Sequence, residues 1–294
     1  MTPAAVLAWT RRHHPVTAGP RWRALAAGVR VLAGDGKGRV TDHFQACLNT
    51  RDLWSVVKLV HVAENAHPGD ERAGWKLVPA RRRALARFLK GLNEAAGTRF
   101  DAALLERLWD AAAAAGAGGW YPIVGFEFHP ATGAFPEVSL YAEHRAGAAA
   151  AAAARLLAPE AAARLRGRRV FALGLDLLAE GGHRLKFYFD APPAEAEALL
   201  AQLDRRLTPA RALSLLRTKP GAGFEEMKKA YVPLKTSEPG RVTALSGEEF
   251  AEAARGPLKA FARRVAPALR GQHLFYIGSS EEKTEVYFGH GEEP

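Results

Sequence analysis

The feature that most constrains the fold is a strand–turn–strand unit that recurs along the chain. Two copies open on the same pattern of a hydrophobic residue, glycine, a hydrophobic residue, an acid and a hydrophobic residue, as VGFEF at 124–128 and LGLDL at 173–177. Each copy ends in an alternating strand that includes a tyrosine, Tyr141 in one and Tyr188 in the other. A period of two residues is typical of strands, and its recurrence predicts an internal structural repeat.

Three further segments fit the same unit and bring the prediction to five hairpins, or ten strands. They cover residues 44–62, 212–235 and 272–288. Helical periodicity separates the hairpins, and its hydrophobic positions repeat at i, i+3, i+4 and i+7. Examples are Leu85, Phe88, Leu89 and Leu92 in one segment and Leu199, Leu200, Leu203 and Leu207 in another. Ser246 and Glu249 have the spacing of a capping box, and Pro257 fits the first turn of a helix.

Alternation along residues 171–189 separates an apolar strand face from a polar one. The apolar face carries Leu173, Leu175, Leu177, Leu185, Phe187 and Phe189, and the polar face carries Asp176, Arg184, Lys186 and Tyr188. An ordinary half-exposed sheet would also show this pattern. However, the apolar stripes of the helices need a partner, and the apolar strand face is the one available.

A ten-stranded antiparallel sheet tends to curl, and closure removes its exposed edges. We therefore predict an α+β fold, in which one ten-stranded antiparallel β-barrel of five hairpin repeats is surrounded by α-helices. Such a barrel would use residues 1–294 as a single domain and would have a wide, polar lumen.

The charge balance narrows the partners. Lysine and arginine total 41 against 31 acidic residues, which gives a net charge of +10. This favours anionic partners such as nucleic acid or phosphorylated molecules, although solubility explains it equally well. The only cysteine, Cys47, excludes a disulfide framework and fits a cytoplasmic location. No apolar run reaches the ~18–20 residues of a membrane helix, so we expect no membrane partner.

The predicted lumen combines cations with tyrosines. Several cations in a low dielectric attract a multiply charged anion such as a diphosphate. Tyrosine hydroxyls donate to phosphate oxygens, and the π-faces of the rings stabilise a nearby carbocation. This combination suits a reaction in which an allylic diphosphate ionises. The predicted lining comprises Glu127, Ser139, Tyr141, Asp176, Arg184, Lys186, Tyr188, Lys229, Tyr231, Glu285 and Tyr287, with the direction of Lys58 left open.

The hairpin repeats and the Arg184-x-Lys186-x-Tyr188 strand resemble the ABBA, or PT-barrel, aromatic prenyltransferases, and the resemblance extends over essentially the whole chain. It implies that Arg184 and Lys186 bind a diphosphate and that Tyr188 shields the allylic cation. The preceding repeat has Ser139-x-Tyr141 where the family has Lys-x-Tyr, so one lysine is missing.

The same resemblance implies roles for further residues. Lys58 and Lys229 would join the diphosphate site, and Tyr141, Tyr231 and Tyr287 would complete the shield around the cation. The base that takes the final proton would be Glu127, Asp176 or a group of the first strand, Asp42 or His43. The sequence has no Asp-Asp-x-x-Asp pattern, so we expect no metal bound by the protein itself; whether Mg²⁺ accompanies the diphosphate stays open.

The implied activity is that of a prenyltransferase, which moves a C5 or C10 allylic group from its diphosphate onto a side chain of a ribosomal peptide or onto an aromatic acceptor by electrophilic alkylation. Residues 47–64 are similar to the first hairpin of cyanobactin-type enzymes that modify ribosomal peptides. The alternative is a non-catalytic protein that binds RNA or another polyanion on a basic sheet face. That alternative needs exposed aromatics between the cations, whereas Phe187 and Phe189 are predicted on the opposite face, so we expect no nucleic acid partner.

Overall fold

The computed structural model describes residues 3–13, 22–23, 25–27, 29, 42–53, 57–63, 71–115, 120–129, 131–144, 147–192, 201–202, 211–218, 223–233, 235–238, 241–280 and 282–289. The strands are β1 (Asp42–Asn49), β2 (Val57–Ala63), β3 (Trp120–Phe128), β4 (Glu137–His144), β5 (Val170–Leu178), β6 (His183–Asp190), β7 (Arg211–Thr218), β8 (Phe224–Pro233), β9 (Lys235–Glu238), β10 (Arg241–Ser246), β11 (His273–Ser280) and β12 (Thr284–Gly289). The α-helices with assigned bounds are α1 (Pro3–His13), α2 (Glu71–Ala96), α3 (Ala102–Ala114), α4 (Gly147–Leu157), α5 (Gly247–Ala253) and α6 (Gly256–Val265).

Ten of these strands form a closed antiparallel ring. Strands β1 to β8 pair with one another in chain order. β8 then pairs with β11, β11 with β12, and β12 with β1. The predicted α+β architecture of a ten-stranded antiparallel barrel with helices is therefore confirmed, and the ring leaves no open sheet edge of its own.

Two boundaries differ from the predicted hairpins. β2 begins at Val57 rather than at Leu53, because the Asn49 side chain accepts hydrogen bonds from the backbone N–H groups of Arg51 and Asp52 and holds a turn there. The second strand of the fourth hairpin ends at Pro233. Residues beyond it form the β9–β10 hairpin, which joins β11 outside the ring and was not predicted.

The hydrophobic core lies between the barrel and the helices. Phe88 of α2 packs against Phe126 of β3 with ring centroids 5.3 Å apart. Trp9 of α1 packs against Phe288 of β12 at 5.1 Å, and its indole N–H donates to the Ala268 carbonyl at 3.0 Å. Phe187 is fully buried in the same core. Helices thus cover the apolar strand face as predicted, which leaves the polar face for the inside of the barrel.

Local signals in the sequence set the starts of two helices. Ser246 and Glu249 form the predicted capping box at the start of α5. Pro257 lies in the first turn of α6. No helix in the described ranges is long and apolar enough to cross a bilayer. Of the helix predicted around residues 199–207, only residues 201 and 202 are described. Of the N-terminal helical prediction, residues 3–13 form α1, and the part beyond them is described only at positions 22–23, 25–27 and 29.

Candidate active site

The strand register brings polar residues of neighbouring strands side by side on the inner face. Lys58 of β2 lies opposite Glu127 of β3. Ser139 of β4 lies opposite Asp176 of β5, which in turn lies opposite Arg184 of β6. Directly opposed residues on antiparallel strands have their Cβ atoms about 4.5–5.5 Å apart, so these groups interact. Together these residues form a polar belt on the inner face of β2 to β6.

Asp176 is the centre of the first charged cluster. Its carboxylate is fully buried, and the Lys186 ammonium lies 2.6 Å from Oδ1 and 2.5 Å from Oδ2. The Ser139 hydroxyl donates to Oδ1 at 2.7 Å, and the Arg184 Nε lies 3.4 Å from Oδ2. Burial alone would raise the pKa of Asp176, but Lys186, Arg184 and Ser139 outweigh burial and lower it. Asp176 is therefore a fixed anion between two cations.

Lys186 is held in its charged form by the same cluster. Burial disfavours its ammonium, yet Asp176, Tyr141 and Glu137 raise the pKa of Lys186 above its ordinary value. The ammonium also lies 5.5 Å from the centroid of the Tyr141 ring. A permanent cation thus lies beside an aromatic face.

Glu137 is a second carboxylate at this end of the belt and was not among the predicted site residues. Its Oε2 makes a close ion pair with the Arg184 guanidinium, and its Oε1 lies 2.9 Å from the Ser139 Oγ, whose single proton is shared between Glu137 and Asp176. Burial, followed by the charge of Asp176, raises the pKa of Glu137. The signal was its position two residues before Ser139, because alternate residues of a strand share a face.

Glu285 is the centre of the second charged cluster. Its Oε1 lies 3.5 Å from the Lys58 ammonium and 2.9 Å from the Lys283 ammonium, and its Oε2 accepts from the Tyr287 hydroxyl at 3.0 Å. Burial disfavours the charge of Lys58, but Glu285 and then Tyr141 raise its pKa well above the ordinary value. The direction of Lys58, which the sequence left open, is therefore towards the inner face.

Tyrosine rings lie beside both clusters, Tyr141 next to Lys186 and Tyr287 next to Lys58. The rings of Tyr141 and Tyr188 meet edge to face with centroids 6.0 Å apart, and the Lys58 ammonium lies 5.9 Å from the centroid of Tyr287. Gly174 makes room for this arrangement. A Cβ atom there would lie 3.1 Å from the Lys186 Cβ and 3.2 Å from the Tyr141 ring.

Four predicted site residues have described strand positions but side chains outside the described part. Lys229 and Tyr231 lie on β8, where Tyr231 is opposite Gly278 of β11 and Lys229 is opposite Leu213 of β7. Asp42 and His43 lie on β1. Strand alternation from Cys47, which is opposite Lys58, assigns position 43 to the inner face and position 42 to the outer face.

The comparisons with known proteins identify the fold. No family model matches the chain, and no curated protein matches it. AnaPT from Neosartorya fischeri has 14% sequence identity and a TM-score of 0.60, with 97% of this chain and 91% of that chain covered. The 5-dimethylallyl tryptophan synthase from Streptomyces coelicolor, in complex with DMASPP and Trp, has 15% identity and a TM-score of 0.59, with 96% and 92% covered.

A third structure is prenyltransferase PriB in a ternary complex with L-tryptophan and dimethylallyl thiolodiphosphate. It has 17% identity and a TM-score of 0.59, with 96% of this chain and 93% of that chain covered. The matches extend over nearly the whole length of both chains. The chain therefore has the ABBA, or PT-barrel, fold of these structures.

Proposed function

We propose that the chain is a prenyltransferase that moves an allylic group from its diphosphate to an aromatic acceptor by electrophilic alkylation. The observation that carries the proposal is the inner-face arrangement of buried cations beside tyrosine rings, with the Lys186 ammonium 5.5 Å from the Tyr141 centroid. The fold likeness supports it, because two of the similar structures hold a dimethylallyl donor or its thiolo analogue together with tryptophan. We propose that residues 1–294 form one domain and act in the cytoplasm.

The diphosphate end of the donor requires cations at fixed positions. Arg184 and Lys186 are successive inner-face residues of β6. Lys58 of β2 is the third cationic side chain of the proposed diphosphate site. Lys229 would add another from β8. As the C–O bond of the donor breaks, negative charge grows on the leaving diphosphate, and preorganised cations in a low dielectric stabilise that charge.

The allylic cation requires a shell that stabilises positive charge and excludes water. Tyr188 and Tyr287 are buried, with 6% and 4% of their surface exposed, and Tyr141 contacts Tyr188 edge to face. Their π-faces attract the cation, and the closed ring keeps water from capturing it. Tyr231 completes the proposed shield. Holding donor and acceptor together in one barrel supplies the proximity that the bimolecular step needs.

The last step needs a base for the proton of the alkylated ring. Asp176 is poorly suited, since its pKa is lowered and two cations already neutralise it. We assign it the role of anchoring Lys186 and Arg184. Glu127, opposite Lys58 on the inner face, is the preferred base, and His43 is the next candidate by its face of β1. Asp42 is the least favoured by position.

The donor and acceptor are proposed at two levels of detail. A C5 donor is favoured over C10 because the similar structures were solved with dimethylallyl compounds. The acceptor is proposed to be an indole or another aromatic ring. The similarity of residues 47–64 to peptide prenyltransferases adds the finer proposal that this ring belongs to a side chain of a ribosomal peptide.

Product mass tests the proposal. The protein is incubated with dimethylallyl or geranyl diphosphate and a panel of indoles, phenols and aromatic or arginine-containing peptides, with Mg²⁺ and with a chelator. We expect one acceptor class to gain the mass of a prenyl unit. Lys186→Met should lose the activity, whereas Lys90→Met, the same change at an exposed position on α2, should retain it. The absence of any product, together with RNA binding that falls steeply with salt, would instead favour the polyanion-binding alternative.

A further inference from the structure

The inner face that would receive the diphosphate already carries anions of its own. Arg184 contacts both Glu137 and Asp176, and Lys186 contacts Asp176. A cation that is already neutralised attracts a second anion weakly, because the net field around the pair is small. A diphosphate that binds here must therefore compete with at least one of the two carboxylates.

Glu137 is the carboxylate that is able to leave. Asp176 has no exposed surface, and both of its oxygens lie close to Lys186. The Glu137 side chain is 15% exposed, and its described contacts are to Arg184 and Ser139. The single Ser139 hydroxyl proton has Asp176 Oδ1 as its other acceptor, at 2.7 Å, so it keeps a partner when Glu137 departs. Departure of Glu137 frees the outer Nη2 of Arg184 for a phosphate oxygen, while the Nε stays beside Asp176.

The charges around Glu137 favour its neutral form when another anion arrives. Glu127 on β3 and Asp176 on β5 repel its carboxylate, whereas Arg184 and Lys186 on β6 attract it. Burial and Asp176 prevail, so the pKa of Glu137 is raised even in the empty protein. A diphosphate beside Arg184 adds negative charge and takes over the favourable partner, which shifts Glu137 further towards the protonated form.

We propose that Glu137 is an internal competitor for the anion subsite at Arg184. Its carboxylate occupies the guanidinium in the empty protein, and it swings away or takes up a proton when a diphosphate binds. The proposal rests on the proposed function, since it takes the Arg184 end of the belt as the diphosphate site. Glu137 is thereby a determinant of donor affinity and of its pH dependence, and it does not act on the reacting atoms.

Calorimetric titration with inorganic pyrophosphate tests this. Wild type, Glu137→Gln and a control, Glu226→Gln, are compared from about pH 4, near the ordinary carboxyl value, to about pH 8.5, because the pKa of Glu137 is raised. Glu226 is also paired with an arginine, Arg168, but does not contact Arg184. Near the alkaline limit, Glu137→Gln should bind pyrophosphate roughly tenfold more tightly than wild type. This factor corresponds to a shift of about one unit in the pKa of Glu137 when pyrophosphate binds.

The pH profile separates competition from a structural role. The advantage of Glu137→Gln should shrink towards none as the pH falls, because Glu137 becomes neutral in the wild type. The titration of pyrophosphate itself cancels in the ratio of the two affinities. Glu226→Gln should match the wild type. Glu137→Asp, which withdraws the charge from Arg184 by one methylene, should give an intermediate affinity and keeps the proposal testable if Glu137→Gln does not fold.

Each other result overturns a specific claim. Measurable binding that is equal in wild type and Glu137→Gln at every pH overturns the role of Glu137 and leaves the proposed function standing. Equal tightening in Glu226→Gln also overturns it, since the effect would then be one of net charge. If none of the folded proteins binds pyrophosphate or dimethylallyl diphosphate, the proposed function is itself wrong.

Discussion

Replacement of Asp176 by asparagine should destabilise the barrel by a predictable amount. The change keeps the shape of the side chain but removes the charge that holds Lys186, whose ammonium lies 2.6 Å from Oδ1. At an effective dielectric of about 20, a pair at this distance has a gross Coulomb energy of about 6 kcal/mol. Desolvation offsets part of it, and breaking a buried pair typically costs about 3–5 kcal/mol. We expect about 3 kcal/mol, because Lys186 retains some contact with water.

Urea unfolding at neutral pH measures this cost as a shift of the midpoint at constant slope. Adding Lys186→Met to Asp176→Asn should recover part of the loss, since it removes the buried cation left without a partner. Glu226→Gln, at a half-exposed ion pair with Arg168, should cost less than about 1 kcal/mol. A cost for Asp176→Asn no larger than that of Glu226→Gln, or no recovery in the double variant, would refute the reasoning.

The difference in the free energy of unfolding between wild type and Asp176→Asn should depend on pH with a definite sign. The pKa of Asp176 is lowered in the folded state, so its contribution to stability is present above the unfolded carboxyl value of about 3.9 and is lost as the pH falls below it. The difference between wild type and Asp176→Asn should therefore be constant from neutral pH down to about pH 4 and shrink below that. A difference that disappears between about pH 7 and about pH 5 would contradict the assigned charge state.

Three further changes test the site. Lys186→Met should weaken pyrophosphate binding at least about tenfold by calorimetry, because it removes a charge-assisted contact, and an unchanged affinity would exclude Lys186 from the diphosphate site. Tyr188→Ala should raise the ratio of donor hydrolysis to transfer, measured by chromatography, because water then reaches the cation; an unchanged ratio would argue against the shield. Gly174→Ala should cost about 1–3 kcal/mol in urea unfolding and raise the donor KM, since its Cβ would lie 3.1 Å from the Lys186 Cβ. Gly125→Ala, whose nearest contacts are at 3.7 Å, should cost less, and equal costs would contradict the packing argument.

The parts of the fold that were predictable depend on local pattern. The β5–β6 hairpin was readable because Leu185 and Phe187 alternate with polar residues on β6 and because Gly181 and Gly182 mark the turn, where both adopt positive φ. The capping box at Ser246 was readable for the same local reason. The β9–β10 hairpin was missed because the fourth predicted hairpin was continued to Lys235, past Pro233, although the Pro239-Gly240 dipeptide is a turn signal.

The ion pairs of the site were not predictable, because they depend on how distant strands meet. Lys58 and Glu285 are 227 positions apart and come together only because β12 closes the ring against β1. Hydrophobic and polar residues alternate poorly around Lys58, so the sequence alone does not say which face of the strand carries this lysine. The pairing of Arg184 with Glu137 requires the registers of both β4–β5 and β5–β6, since the two residues lie on strands separated by β5.

A crystal structure with a non-reactive allylic thiolodiphosphate tests the central claim most directly. The account predicts the diphosphate inside the barrel, within hydrogen-bond distance of Arg184 and Lys186, with the allylic chain between the rings of Tyr141 and Tyr188. An analogue bound on the outer surface would contradict it. So would a structure at saturating ligand in which Arg184 stays paired with Glu137 and neither Arg184 nor Lys186 contacts the diphosphate.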